Sequence, residues 1–498
     1  MGTHILEQAR TALAKGDIAA AERALNDAGA DAGEALVLRA HILLARGKIS
    51  EAETFVRGAL VSQHHPRVVA GLEHLLGLCL RRDRRPAEAL TAFERAYARA
   101  PDTPGLAIDR ADELQVAGRT EDAVAAYRAV LNANPLDARA HRQLSHLLYR
   151  LGDDANFLNS YDEAMAKHPA RAILPLSKAA FLFQLERFDE AEACYARAEK
   201  LLPEAIAPLN GLAATAARKG DYARAIAAHQ KAVKLAPRHA DSQISYCETL
   251  LRAGDAKLAR TAAETAVQLA PDDQGAIAFL TLALRASNDQ RTEEIDGFEK
   301  FVQVFELAPP KGFSSTEDFN AALNAELDAL HGSKRELLNQ SLRGGTQTLN
   351  DLFSDGYPLV DLLRAQIDDA VASYIATLPD DAQHPLLRRK RSDFDYNGSW
   401  SSRLSDCGFH TNHVHPKGWI SSAYYVALPD AVADEKGQQG WIKFGEPSFD
   451  AHLKDPIRRV VQPRTGTLVL FPSYMWHGTV PFRSDRARTT IAFDVVPR

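Results

Sequence analysis

Residues 118–137 read "GRTEDAVAAYRAVLNANPLD", and the same spacing of small, aromatic and helix-stopping residues returns along the first 300 positions. Pro135 belongs to the series Pro101, Pro135, Pro169, Pro203, Pro237 and Pro271, in which every interval is 34 residues. Gly118 recurs as Gly152, Gly220 and Gly254, with Glu186 in the one slot where glycine is missing. Ala123 recurs as Ala89, Ala191, Ala225 and Ala259, and Tyr127 as Phe93, Tyr161 and Tyr195. The period reads physically as a pair of helices. Gly118 supplies the tight turn after a first helix, and Ala123 lets two helices approach closely. Tyr127 fills the space between them, and Pro135 stops the second helix. Weaker units at Gly16…Ala21 and Gly47…Ala52 extend the pattern, for roughly eight helix pairs over residues 1–305.

This register resembles a tetratricopeptide repeat array, a right-handed solenoid of antiparallel helix pairs. The resemblance implies a concave groove that grips a polypeptide substrate or partner protein, or a surface for self-association such as a homodimer. The repeated alanines and aromatics read as core rather than as binding residues. A purely architectural spacer is the alternative.

At 498 residues the chain calls for two to four domains. A net charge of -6 argues against nucleic acid or an acidic membrane as partner. The start, "MGTHILEQARTALAKGDIAAAERAL", has no apolar run of signal-peptide length, and no 18-residue apolar stretch follows. Cys79, Cys194, Cys247 and Cys407 are scattered without CxxC spacing, which fits a reducing, cytoplasmic setting and offers no thiolate metal site.

After "FVQVFELAPPKGFSSTEDF" the period ends. Residues 306–316 read as a linker and 317–498 as a second domain. Ser315 or Thr316 is placed to cap a helix over 317–331, and a second helix is expected at 357–379. The stretch between them, "SLRGGTQTLNDLF" at 341–353, reads as an ordered loop. From about Gly398 the pattern turns to short strands: "GSWSSRL", "WISSAYYVALP", "GWIKFGEP", "GTLVLFPSYMWHGTVPF" and "RTTIAFDVVP". The expected fold class is therefore α + β multidomain: an all-α repeat solenoid, then a jelly-roll (double-stranded β-helix) with flanking helices.

Histidines carry the chemical signal. His410, His413 and His415 fall within "GFHTNHVHPKGWISSAYYVALP" (408–429), and His477 ends "FPSYMWH". Residues two apart on a strand share a face, so His413 and His415 are expected to converge, with His477 arriving from a distant strand. Arg488 follows eleven residues later and shares one strand face with Thr490, Ala492 and Asp494. Three protein ligands on one side of an ion, with an arginine inside the barrel, match the needs of a non-haem Fe(II) oxygenase. Such an enzyme uses 2-oxoglutarate, whose keto-acid end chelates iron and whose far carboxylate wants a fixed bidentate cation.

Residues from about 310 onward resemble a 2-oxoglutarate/Fe(II) oxygenase family whose motifs appear here in order: "HVHPKGWISSAYYV", "GWIKFGEP", "GTLVLFPSYMWHGTVPF" and "RTTIAFDV". The resemblance implies Fe(II) held by His413, His415 and His477, with O2 and 2-oxoglutarate as co-substrates. It makes Arg488 the clamp for the 5-carboxylate, helped by Thr490 and Tyr425. One departure matters: the commonest facial site is His-x-Asp…His, and the Asp slot is His415, which leaves an extra positive charge for outer anions to balance. Asp406 is the alternative carboxylate, Arg486 the alternative clamp, and His410 reads as support. Trp419 and Trp476 either line the mouth or pack in the core. Arg343, Thr346 and Gln347 are candidates to close over the substrate.

The function expected is a dioxygenase that hydroxylates a protein or peptide side chain recruited by the repeat groove. Two other readings keep the same residues: a small-molecule oxygenase whose repeats oligomerise it, and a repeat scaffold with an inactive oxygenase domain. A cupin-like metal site fits less well, because the Glu it expects at position 419 is Trp.

Overall fold

The structure, a computed structural model, describes residues 2–26, 33–83, 85–331, 341–348, 351–354 and 356–498. The chain divides at Lys178/Ala179 into two compact units. In the first, Gly2–Ala14 pairs with Ile18–Asn26, Gly33–Ala45 with Ile49–Ser62, Pro66–Arg82 with Pro86–Arg99, Pro104–Val116 with Thr120–Ala133, and Ala138–Leu151 with Asn159–Lys167. The second begins within Ile173–Gln184 and continues through Phe188–Leu201, Ile206–Arg218, Tyr222–Leu235, Ala240–Arg252, Ala256–Leu269 and the terminal helix Gln274–Ala286. Eight pairs precede that last helix.

The repeat residues do what their spacing requires. Each periodic proline stands two residues beyond a helix end, from Arg99/Pro101 to Leu269/Pro271. Ala89, Ala123, Ala191, Ala225 and Ala259 are wholly buried, as are Phe93, Tyr127 and Tyr161. Gly118, Gly152, Gly220 and Gly254 turn the chain with φ between 72° and 82°. Glu186 holds the same left-handed conformation at φ 57° without being glycine. That conformation costs a side-chain-bearing residue about 1–2 kcal/mol. Its carboxylate accepts a hydrogen bond from Arg218 at 2.8 Å on the next repeat, an exposed ion pair that offsets little of the strain.

The C-terminal part of the second unit is built on nine strands among the described residues: β1 Gln303–Glu306, β2 Leu342–Gln347, β3 Phe394–His410, β4 Ile420–Ala427, β5 Ile442–Phe444, β6 Arg459–Val461, β7 Thr467–Pro472, β8 His477–Thr479 and β9 Arg488–Pro497. They form two antiparallel sheets, ordered β1-β7-β4-β9-β3-β2 and β6-β5-β8, the double layer of a jelly-roll. Helices Thr316–Asp328 and Pro358–Thr377 flank the larger sheet. The first is capped by Ser315, whose hydroxyl accepts from the Asp318 N–H. Tyr424 on β4 donates its hydroxyl to Asn320 at 3.0 Å, and Tyr374 donates to the Phe301 carbonyl at 2.7 Å. Residues Ile491, Phe493 and Val495 of β9 are buried in the same core as these helices.

The structure corrects one expectation and extends others. The stretch read as a loop at 341–353 contains a strand, β2, whose Leu342 lies opposite His410 and Gln347 opposite Ser402. Paired glycines disguised it: a side chain at Gly345 would run into the Arg403 carbonyl oxygen, and Gly344 has φ 66° at a bulge. Strand β3 runs well beyond the expected 398–404, and the first flanking helix stops at Asp328. In the 306–316 segment the Leu307 N–H donates to Gly466 O at 3.2 Å.

Within the second unit, the last repeats and the sheets share one hydrophobic core that runs from Cys247 and Ile277 to Phe471 and Val495. Phe279 meets Trp476 edge-on at 5.7 Å and stacks near Phe449 at 6.2 Å. Arg285 donates to the carbonyls of Gly445, Asp455 and Pro456. Among the described residues no helix is long and apolar enough to cross a membrane.

Candidate active site

The histidines converge, but not by strand alternation. His413 and His415 lie outside the strands, in the turn between β3 and β4. His413 and His477 form an isolated antiparallel bridge, each N–H donating to the other's carbonyl at 2.9 and 3.0 Å. The His415 N–H donates to Ser473 O at 3.0 Å, so the same β7–β8 connection fixes both. Among the described residues, His413, His415 and His477 are the one group of three or more His, Cys, Asp or Glu side chains able to share an ion. Their ligand atoms lie within 4.8 Å of one another.

Hydrogen bonding sets the tautomer of each ring. Nδ1 of His413 faces Thr411 O at 2.8 Å, and Nδ1 of His477 faces Met475 O at 2.9 Å. Nδ1 of His415 faces both oxygens of Asp494, at 2.7 and 2.8 Å. Carbonyl and carboxylate oxygens only accept, so each Nδ1 carries a proton. Nε2 of His415 is buried with no hydrogen-bond partner among the described residues. Burial, reinforced by the neighbouring imidazole of His415, pushes His413 down to about 3. Burial likewise holds His477 well below the usual histidine value. Neutral imidazoles that present Nε2 towards a common point are what a divalent transition ion requires.

These rings line a cavity of about 720 Å³ that also reaches Arg488, Thr490 and Gln347. Arg488 is 2% exposed, donates Nε–H to Gly440 O at 3.1 Å, and has no carboxylate within ion-pair distance among the described residues. A buried cation without a counter-ion is costly, so the cavity is built for an anion. The Tyr425 ring lies 5.1 Å from the Arg488 guanidinium carbon, and its hydroxyl is buried close to that cation. Burial pushes that phenol up to about 12 against the pull of Arg488, which keeps it a neutral donor. Thr490 lies opposite Tyr425 across the β4–β9 ladder.

Other expected residues fall elsewhere. Trp419 is fully buried and donates its indole N–H to Leu386 O at 2.9 Å, taking the core alternative rather than the mouth. Trp476 is buried against the repeats. Arg343 is exposed on β2 with its guanidinium on Leu342 O at 2.8 Å, outside the cavity lining. Arg486 is exposed and pairs with Asp430 at 3.1 Å, and Asp406 accepts from the Ser484 N–H at 2.9 Å on the surface. His410 lines the cavity and shares Ser341 Oγ, at 3.1 Å, with His413 at 3.4 Å. Sequence reasoning placed Asp494 only as a face-mate of Arg488. The contact that matters, to a histidine 79 residues earlier, leaves no local signal.

Comparison with known proteins agrees with this geometry. Residues 398–494 match the family described as "Putative 2OG-Fe(II) oxygenase". Residues 108–172, 181–240 and 210–274 match the tetratricopeptide repeat. One chain thus joins tetratricopeptide repeats to a domain of the 2OG-Fe(II) oxygenase class. A 70-residue stretch is 39% identical to "TPR repeat-containing thioredoxin TTL4" of Arabidopsis thaliana, covering 14% of this chain and 10% of that protein. Among solved structures, yeast Tom70 aligns at 20% identity and a TM-score of 0.44, over 56% of this chain and 62% of its own. A tetratricopeptide repeat protein from Parabacteroides merdae ATCC 43184 aligns at 19% identity and a TM-score of 0.37, over 51% and 98% respectively.

Proposed function

We propose that the C-terminal domain is an Fe(II)- and 2-oxoglutarate-dependent dioxygenase that hydroxylates a side chain of a polypeptide recruited by the repeats. The observation that carries this reading is one cavity with three converging imidazoles and a buried Arg488 that has no carboxylate partner among the described residues. His413, His415 and His477 would hold the ion. Arg488 would take the distal carboxylate of 2-oxoglutarate in a charge-assisted, bidentate contact, with Tyr425 and Thr490 as neutral donors beside it. When bound, iron would activate O2 as the oxidant, with two electrons drawn from 2-oxoglutarate as it becomes succinate and CO2 and two from the substrate C–H bond that gains an oxygen atom.

The remaining work belongs to the chain's own residues. Ile442, Val414 and Ala492 on the cavity wall keep water from the reacting C–H bond. The Ser341 hydroxyl, 3.1 Å from His410 Nδ1 and 3.4 Å from His413 Nε2, would turn to His410 when an ion takes the His413 Nε2. A second cavity of about 630 Å³ adjoins the first and shares His410, Thr411 and Thr479 with it. Its wall includes Phe449 and Leu453, on the segment that packs against the last repeats. Repeat arrays offer extended concave surfaces, and this second cavity gives a polypeptide a route to the histidines.

The test is anaerobic addition of Fe(II) and 2-oxoglutarate to the full chain, followed by O2. The expected results are a weak metal-to-ligand absorption band before oxygen and succinate afterwards. Mass spectrometry of polypeptides trapped by a His477→Ala variant should then show one added oxygen once active enzyme is supplied. Absence of both the band and succinate at high reagent concentrations would overturn the proposal.

A further inference from the structure

We propose that Asp494 is a positioning residue that completes the metal site from outside: it fixes His415 as an Nε2 donor and returns the negative charge that a carboxylate at position 415 would have carried. The inference rests on the reading of the three histidines as a metal centre.

The geometry has three parts. First, Asp494 contacts His415 with both carboxylate oxygens, at 2.7 and 2.8 Å, and the two side chains are only 12% and 11% exposed. Second, the carboxylate is itself held. Ser421 donates its hydroxyl to Asp494 at 2.7 Å and lies 2.8 Å from the Ser473 hydroxyl. Ser473 in turn accepts the His415 N–H through its carbonyl. The chain Ser473–Ser421–Asp494–His415 therefore closes on itself. A side chain at Gly418 would collide with Ser473, so glycine there keeps the ring of contacts tight. Third, the Trp400 ring stacks on His415 at 5.7 Å and 24°, which fixes its plane. His415 is restrained at its main chain, at Nδ1 and at its face, while among the described residues its Nε2 has no hydrogen-bond partner.

Charge balance points the same way. Three neutral imidazoles leave a divalent ion at +2, whereas two imidazoles and a carboxylate leave it at +1. A low-dielectric cavity penalises the larger charge. Asp494, one hydrogen bond from the ligand, restores the smaller sum without occupying a coordination position. Outer-sphere carboxylates of this kind raise ligand basicity and fix ring orientation. The same strand, β9, thus carries a cation at Arg488 and an anion at Asp494, on one face and about 20 Å apart by strand rise. The two charges sit where a bound anion and a bound cation would want them.

A merely structural hydrogen bond would lose fold stability on removal and nothing else. The test therefore reads metal affinity and tautomer directly, in the full chain without oxygen. Asp494→Asn keeps an acceptor for Nδ1–H but removes the charge. Its Co(II) affinity, measured by competition with a coloured chelator, should fall about 10–100-fold, with the melting temperature of the metal-free protein little changed. Ser421→Ala keeps the charge but frees the carboxylate, and should weaken binding by a smaller factor in the same direction. Nitrogen-15 spectra of the metal-free protein should show His415 as the Nδ1–H tautomer in the wild type and as a mixture in Asp494→Ala. Wild-type affinity in Asp494→Asn, or in Ser421→Ala if the former does not fold, overturns this inference alone. Wild-type protein whose Co(II) binding is indifferent to His477→Ala overturns the metal-centre reading, and this inference with it.

Discussion

Trp476 donates its indole N–H to the main-chain carbonyl of Ala278, at 3.3 Å. The residue next to the third histidine is thereby hydrogen-bonded to the last long helix of the repeats. Ala278 is wholly buried, and so are Ile277, Leu282 and Ala283 on the same helix. Removing this helix would expose the core beneath the site.

Truncation should follow that core rather than the end of the 34-residue period. A chain beginning at His168 keeps the second compact unit whole and should melt cooperatively as a soluble species. One beginning at Leu307 loses Phe279 and its neighbours, at about 1.5–3 kcal/mol for each large side chain uncovered. It should aggregate or melt many degrees lower. Size-exclusion chromatography and thermal melts of the two chains decide the point, and equal stability would contradict it.

Arg488→Ala should separate co-substrate from metal. Losing hydrogen bonds to a charged group costs about 1.5–3 kcal/mol each, so the 2-oxoglutarate requirement should rise on the order of 30-fold or more. Metal affinity should stay within about threefold, since Arg488 is not a ligand. The two affinities are measured separately by anaerobic titration.

Acid should weaken the repeats through His229. This ring is wholly buried, its Nε2 lies 3.1 Å from the Thr249 hydroxyl, and burial pushes it down to about 4. Its unfolded value is about 6.5. Between pH 6.5 and 4 the unfolded chain takes the proton and the native chain does not, so stability falls as pH falls through that window. The loss from this group is on the order of 2–3 kcal/mol at the acid end. The fall in melting temperature from pH 6.5 to 4.5 should be shallower in His229→Gln than in the wild type; parallel curves would refute the assignment.

Glu186→Gly should stabilise the array. Glycine adopts φ 57° without penalty, so the gain is about 1 kcal/mol after the exposed pair with Arg218 is lost. A rise of a few degrees in the first melting transition is expected, and a fall would show the ion pair to be worth more than the strain.

The repeats were legible because each unit makes the same steric demand at the same place: alanine at the close approach, proline after the last turn. The three converging histidines were legible by type and neighbourhood, but the reason for their convergence was not. His413 and His477 are joined by main-chain hydrogen bonds, which any pair of residues could make. Strand β2 was hidden for a similar reason, since "LRGGTQ" shows glycine and polar residues where alternation was sought. Trp419 and Trp476 looked alike in sequence, and only the presence of Leu386 and Ala278 beside them explains why both are core.

The bridge between His413 and His477 has a last consequence. Two of the three imidazoles ride on a single rung of backbone, so neither can shift without the other. His415 is fixed by the Asp494 and Trp400 side chains and by one main-chain bond. In the proposed centre two positions are joined through backbone and the third is set by its side-chain partners, and that third position is the one where this chain departs from His-x-Asp…His. In the proposed metal centre, a different residue at 415 would alter charge and donor type while the other two kept their spacing.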